Sequence, residues 1–179
     1  MRKTISLVAF AAALQAAPAQ AGEFSVGLGP FFLSDSGADF HLAYRATQSH
    51  WRFGYRYLQY TETDEDPFFG TDLTESKTTM HGPTLAYLFT PESRGSWYVS
   101  GAVMKAKRVE RALLVNEEAR DSATGAFFGG GYLGFIGQSG YWQVGLTLSP
   151  GTKLETRTSA SSTEESGLAD FTAHIGIRF

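Results

Sequence analysis

The residues of this chain best suited to chemistry are its histidines and the arginines and aspartates that recur beside them. His41 lies two residues from Asp39 and four from Arg45, while His174 lies four from both Asp170 and Arg178; Arg52 and Arg56 complete the group. Base catalysis by histidine needs a nucleophile within hydrogen-bond reach and an acid that orients the ring. On a β-strand, side chains two apart share a face, so a strand-borne pair would read His-x-Ser. The residues two past each histidine are Ala43, Arg52, Pro83 and Gly176, and none is a nucleophile. Asp170 and His174 share a face but sit about 13 Å apart along it. The set reads as a charge network, and no enzymatic activity is expected.

Two further clusters carry charge. Glu62, Asp64, Glu65, Asp66, Asp72 and Glu75 crowd one segment before the first cation, Lys77. Carboxylates suit calcium or magnesium, but the spacing is not that of an EF-hand. A solvated, self-repelling loop is the expectation, with no metal and no cofactor. Phe68-Phe69 inside it would need a rim, a lipid or a partner to rest on. Lys105, Lys107, Arg108 and Arg111 form the one basic cluster, a set suited to phosphate. A solvated strand end paired with Glu110, Glu117 and Glu118 is the competing reading. The chain is acidic overall, at −3, which argues against nucleic acid. It has no cysteine, which excludes thiolate chemistry and disulfides.

The elements that would hold these residues are strands. In Phe171–Phe179, Phe171, Ala173, Ile175, Ile177 and Phe179 fall on one face and Thr172, His174, Gly176 and Arg178 on the other. The same alternation marks Glu23–Leu33, Asp39–Thr47, His50–Tyr60 and Tyr141–Ser149. In the third of these, Trp51, Phe53, Tyr55 and Tyr57 oppose Arg52, Gly54 and Arg56. Strand-like segments also begin at Lys77, Trp97 and Gly125, making eight. In Lys77–Phe89 the parity breaks: Lys77, Thr79 and His81 read as facing the polar side, Leu85, Tyr87 and Phe89 the apolar side. Pro83 between them suggests a register-resetting bulge. The facing of the glycine-rich Gly125–Ile136 is ambiguous. Short connections (Thr47–Ser49, Thr90–Ser96, Gly137–Gly140) alternate with long polar ones (Thr61–Ser76, Glu110–Thr124, Pro150–Gly167).

Met1–Ala21 has the parts of a secretory signal: Arg2-Lys3, an apolar run Ile5–Leu14, and Ala19-Gln20-Ala21 as a cleavage site. The run falls short of the ~20 residues a membrane-crossing helix needs. Charge or glycine interrupts every later apolar run, so a membrane role would require a closed barrel. Residues 22–179 then form one domain, with both termini on the periplasmic side.

With its alternating strands, its signal and the ending Ile175-Gly176-Ile177-Arg178-Phe179, the chain resembles the small eight-stranded outer-membrane β-barrels, the class of OmpX, Ail and the OmpA membrane domain. The resemblance implies an all-β, antiparallel, up-and-down transmembrane barrel exported to the bacterial outer membrane, and a monomer. It also implies that the barrel-insertion machinery reads Phe179. An eight-stranded barrel is filled by side chains. Glu23, Asp39, His41, Arg45, Arg52, Arg56, Asp170, His174 and Arg178 are therefore expected to point inward and pair, Glu23 with Arg178 across the seam. Lys105, Lys107, Arg108 and Arg111 are expected near lipopolysaccharide phosphates. The expected role is surface interaction or envelope integrity through the outer loops, with a partner the sequence does not name. Rival readings are a narrow ion or small-solute channel and a lipid A-modifying enzyme. The His-x-Ser of the barrel lipid A deacylases is missing, as is the N-terminal helix of the palmitoyltransferase barrels.

Overall fold

Period-two alternation in eight consecutive segments leaves each with one face to hide, and joining them edge to edge hides all eight inner faces at once. A computed structural model describes residues 22–30, 37–65, 72–91, 94–113, 115–157 and 162–179. Its strands are β1 (Glu23–Leu28), β2 (Gly37–Arg45), β3 (Trp51–Glu65), β4 (Asp72–Leu88), β5 (Gly95–Ala112), β6 (Glu117–Ile136), β7 (Gly140–Arg157) and β8 (Ser162–Arg178). Each pairs antiparallel with its neighbours in chain order, and β1 closes on β8 from Ser25↔Arg178 to Leu28↔Ile175. The expected leader Met1–Ala21 and Phe68-Phe69 lie outside the described residues.

The closed ring sorts side chains by parity. Phe171 and Ile175 are 65% and 71% exposed, while Asp170 and His174 between them are 6% and 3%. A soluble protein would reverse that pattern; a wall facing hydrocarbon requires it. Across five successive strands Trp51, Tyr87, Trp97, Tyr132 and Trp142 form a band of outward rings near the short turns. Trp51 meets Tyr87 at 5.1 Å, Trp97 meets Tyr132 at 5.3 Å, and Tyr132 meets Trp142 at 5.4 Å between centroids. Rings of this kind mark a membrane–water interface. A second outward group, Phe40 stacked on Tyr57 at 5.2 Å with His81 beside it, lies toward the other end.

Three sequence expectations are corrected. The long polar connections are mostly strand: β3 runs on to Glu65, β4 begins at Asp72, β5 and β6 approach to Ala112 and Glu117, and β7 and β8 extend to Arg157 and Ser162. At ~3.3 Å per residue β6 is roughly 65 Å long, more than twice the ~25 Å apolar band. The wall therefore rises well beyond that band, and both faces of the extension are polar, which erases the alternation.

Pro83 does not reset the register. The β3–β4 ladder runs through Tyr55↔Pro83 unbroken, and the β4–β5 ladder skips Gly82 and Pro83 but resumes at Thr84↔Ala102 in the same register as His81↔Lys105. Lys77, Thr79 and His81 therefore face outward, as Leu85 and Tyr87 do; they are polar because they stand above the apolar band. Register shifts fall instead between Asp64 and Glu65, where β4 carries one extra residue, and between Ser149 and Lys153, where three residues oppose Gly167 alone. That glycine adopts φ +80°, a conformation other residues resist. Past the shift, Thr152, Leu154 and Thr156 turn inward. Gly125–Ile136, ambiguous in sequence, sets Phe127 inside and Phe128 outside.

Candidate functional site: the lumen and the outer wall

Inward parity stacks the lumen in layers. At the end near the short turns, Glu23 Oε2 accepts from Arg178 Nη1 at 3.0 Å and from Arg45 Nη2 at 3.3 Å. Arg178 also lies over the Phe135 ring, 4.0 Å from its centroid, and donates to the Gln138 carbonyl. The Glu23–Arg178 pair crosses the β1–β8 seam. Above this layer Leu88, Tyr98, Leu133 and Tyr141 form a buried apolar cluster. Gly145 leaves room for Tyr98, since a Cβ there would collide with its hydroxyl.

The next layer is charged and deeply buried. Arg56 donates to Asp39 (3.4 Å), to Asp170 and to Thr172 Oγ1 (2.8 Å). His174 Nε2 donates to Asp39 Oδ1 at 2.9 Å, and its ring stacks on His41 at 5.6 Å. His41 Nε2 meets Thr84 Oγ1 at 3.3 Å. Arg52 donates to Gln143 Oε1 (2.8 Å) and Ser25 Oγ (2.7 Å) and lies over the Tyr141 ring. His174 thus finds its acid on β2, not in Asp170 of its own strand. Its Nδ1 has no hydrogen-bond partner among the described residues, so no nucleophile completes a triad. A cavity of about 40 Å³ adjoins this layer.

An apolar septum packs above this layer: Leu58, Met80, Met104, Ala106, Phe127 and Leu154, all buried. Beyond it Thr156 donates to Glu110 at 2.7 Å, and Arg108 approaches the same carboxylate at 3.9 Å.

The basic cluster divides. Arg108 and Glu110 are buried with Met104 and Ala106, whereas Lys105, Lys107 and Arg111 face out. Placing Arg108 with the outward lysines is therefore corrected: it stands an odd number of residues from Val103 and takes the opposite face. Register adds a residue that sequence reasoning turned to the polar inner face. Lys77, on β4, shares the outer wall with Lys105 and Lys107, and the lateral neighbours of these three are His81, Thr79, Thr61, Thr124, Ser122 and Val109, none acidic. One row further out, Arg111 lies between Glu75 and Glu118 and donates to Asn116. The acidic segment is spread along β3 and β4, with Glu62 and Asp64 exposed and Asp66 outside the described residues. Phe179 exchanges backbone hydrogen bonds with Phe24, and its ring is 44% exposed.

Sequence reasoning also passed over Ser25, Tyr98, Gln143 and Thr172. Parity places Gln143 and Thr172 on polar faces, but nothing in their type distinguishes them from ordinary strand polar residues. Only the ring closure brings β1, β3, β5, β7 and β8 to one point.

No protein-family model matches the chain, and no curated protein matches it in sequence. Solved structures do. Neisserial surface protein A (NspA) superposes with a TM-score of 0.55 at 13% identity, over 88% of this chain and 92% of that one. Ail, the attachment invasion locus protein of Yersinia pestis, gives 0.52 at 15% identity, over 89% and 99%. The N-terminal β-barrel domain of Pseudomonas aeruginosa OprF gives 0.51 at 14%, over 89% and 98%. At such identities it is the architecture that is shared: this chain has the fold of the small eight-stranded outer-membrane barrels.

Proposed function

We propose that this chain is a non-catalytic protein of the bacterial outer membrane, exported by its N-terminal leader and inserted through Phe179 with both termini on the periplasmic side. Its lumen is closed, and it works from the outer wall, where Lys77, Lys105 and Lys107 bind lipopolysaccharide phosphates. The observation that carries this reading is positional. On β5 the outward series runs Trp97, Val99, Val103, Lys105, Lys107, so the side chains turn basic immediately past the apolar band. A lysine at the hydrocarbon midplane would cost ~2–4 kcal/mol, which places this row at or beyond the edge of the bilayer. The apolar septum supports a sealed lumen over a channel. The incomplete triad, shut inside, favours the absence of catalysis. A structure of Ail is a complex with the heparin analogue sucrose octasulfate, a polyanion, which supports phosphate recognition on a barrel of this architecture.

Replacing Lys77, Lys105 and Lys107 with Gln is expected to reduce lipopolysaccharide affinity. Each cation near an anionic surface contributes ~1 kcal/mol, so the triple variant should lose roughly a hundredfold. The measurement is lipopolysaccharide retained per mole of purified barrel, with phospholipid retention as the control. Equal retention by a folded triple variant would remove the reading.

A further inference from the structure

One lateral row of the outer wall carries more than fixed charge. Register sets Phe40, Tyr57, His81, Lys105 and Thr124 side by side on β2 to β6, all on the outward face. The row stands one step beyond Tyr55 and Val103, where the side chains turn from apolar to basic. Its histidine is half-buried between Tyr57 and Lys105.

Two contacts fix the imidazole. The Tyr55 hydroxyl lies 2.7 Å from His81 Nδ1, and the Tyr57 ring stacks on the imidazole at 6.4 Å between centroids. Phe40 backs Tyr57 in turn, at 5.2 Å. Tyr55 suits the ring in either protonation state. Its hydroxyl donates to Nδ1 of a neutral imidazole, and its oxygen accepts from the Nδ1–H of an imidazolium. In both cases Nε2–H is left as a donor, with no partner among the described residues.

Side chains of lateral neighbours start ~4.5–5.5 Å apart at Cβ, so one phosphate group can meet His81 Nε2 and the Lys105 ammonium together. No carboxylate competes for them. The groups facing His81 are Tyr55 and Tyr57 from β3 and, from β5, Lys105 and then Lys107 one step further out. Thr79 and Lys77 follow on β4 itself. A histidine here differs from a fourth lysine in one respect: imidazole is the side chain that ordinarily gains its charge between pH 8 and 5.

We infer that His81, held by Tyr55, is a fourth ligand of the phosphate site of Lys77, Lys105 and Lys107, and that its protonation tightens the site on a glycolipid phosphate as the surroundings acidify. The inference rests on the reading of that row as a lipopolysaccharide-phosphate site, to which it adds a ligand and a pH dependence.

The test measures the dissociation constant of diphosphoryl lipid A for the refolded barrel in nonionic detergent, at pH 5.5 and pH 8.0, on either side of the imidazole range. Heat-modifiable gel mobility checks that each variant is folded. Lipid A phosphates themselves lose charge as pH falls, so each variant is compared with wild type at the same pH, where that change cancels. Wild type should bind about fivefold more tightly than His81→Gln at pH 5.5, the value of one cation near an anionic surface, and equally at pH 8.0. Tyr55→Phe should likewise weaken binding at pH 5.5 and not at pH 8.0. Replacing Lys77, Lys105 and Lys107 with Gln should weaken it at both. A triple variant as tight as wild type would overturn the reading of the row, and this inference with it. A weakened triple variant beside a wild-type to His81→Gln ratio that is the same at both pH values would overturn the inference alone.

Discussion

Arg56→Met should cost the barrel about 3–5 kcal/mol, the usual penalty for removing one partner of a buried ion pair. The arginine bridges Asp39 on β2 and Asp170 on β8, so its loss leaves two carboxylates facing each other across a lumen they cannot leave. His174 already leans on Asp39 and cannot serve Asp170 as well. Methionine fills a similar volume, so the loss reports charge and not a void. Urea unfolding of the refolded barrel, followed by tryptophan fluorescence or heat-modified gel mobility, measures it. Arg178→Gln, at a partly exposed pair, should cost no more than ~1 kcal/mol. Equal losses in the two variants would mean that the deep layer is not the keystone of the lumen.

Phe127→Ala should be comparably damaging, at ~3–5 kcal/mol, because it removes a fully buried ring from the septum and leaves a void that Met80, Met104 and Leu154 cannot collapse to fill. Phe128→Ala, one residue on and 64% exposed, should cost much less, since its ring meets solvent or lipid in place of packed side chains. The same unfolding assay compares the two. A larger loss at Phe128 would reverse the inside and outside of β6.

The sequence displays these features unevenly, for physical reasons. Where a strand crosses the apolar band its two faces differ in polarity, and alternation reveals it; hence Arg52 and Arg56 opposite Trp51, Phe53, Tyr55 and Tyr57, and His174 opposite Phe171 and Ile175. Where the wall leaves the band, both faces become polar and the signal vanishes, so strand extensions read as loops. The same change along one face of β4, from Leu85 to His81 to Lys77, imitates a switch of faces, and Pro83 lends it a false cause. The register shifts that do occur, at Asp64–Glu65 and at Pro150–Thr152 opposite Gly167, fall where no alternation is left to interrupt. Charge alone groups Arg108 with its neighbours, whereas counting from Val103 turns it inward. The contacts of Arg52 with Gln143 and Ser25 span three strands, and only closure of the ring reveals them.

A spin-label scan along the outward face of β5 tests the central claim most directly. Nitroxides placed singly at Val99, Val103, Lys105, Lys107 and Val109 in barrels reconstituted into phospholipid vesicles report contact with oxygen, which concentrates in hydrocarbon, or with a water-soluble nickel complex. Oxygen should dominate at Val99 and Val103, the two should cross at Lys105, and nickel should dominate at Lys107 and Val109. A face with no oxygen-rich stretch, or one still oxygen-rich at Lys107 and Val109, would contradict a membrane barrel whose basic row begins where the hydrocarbon ends.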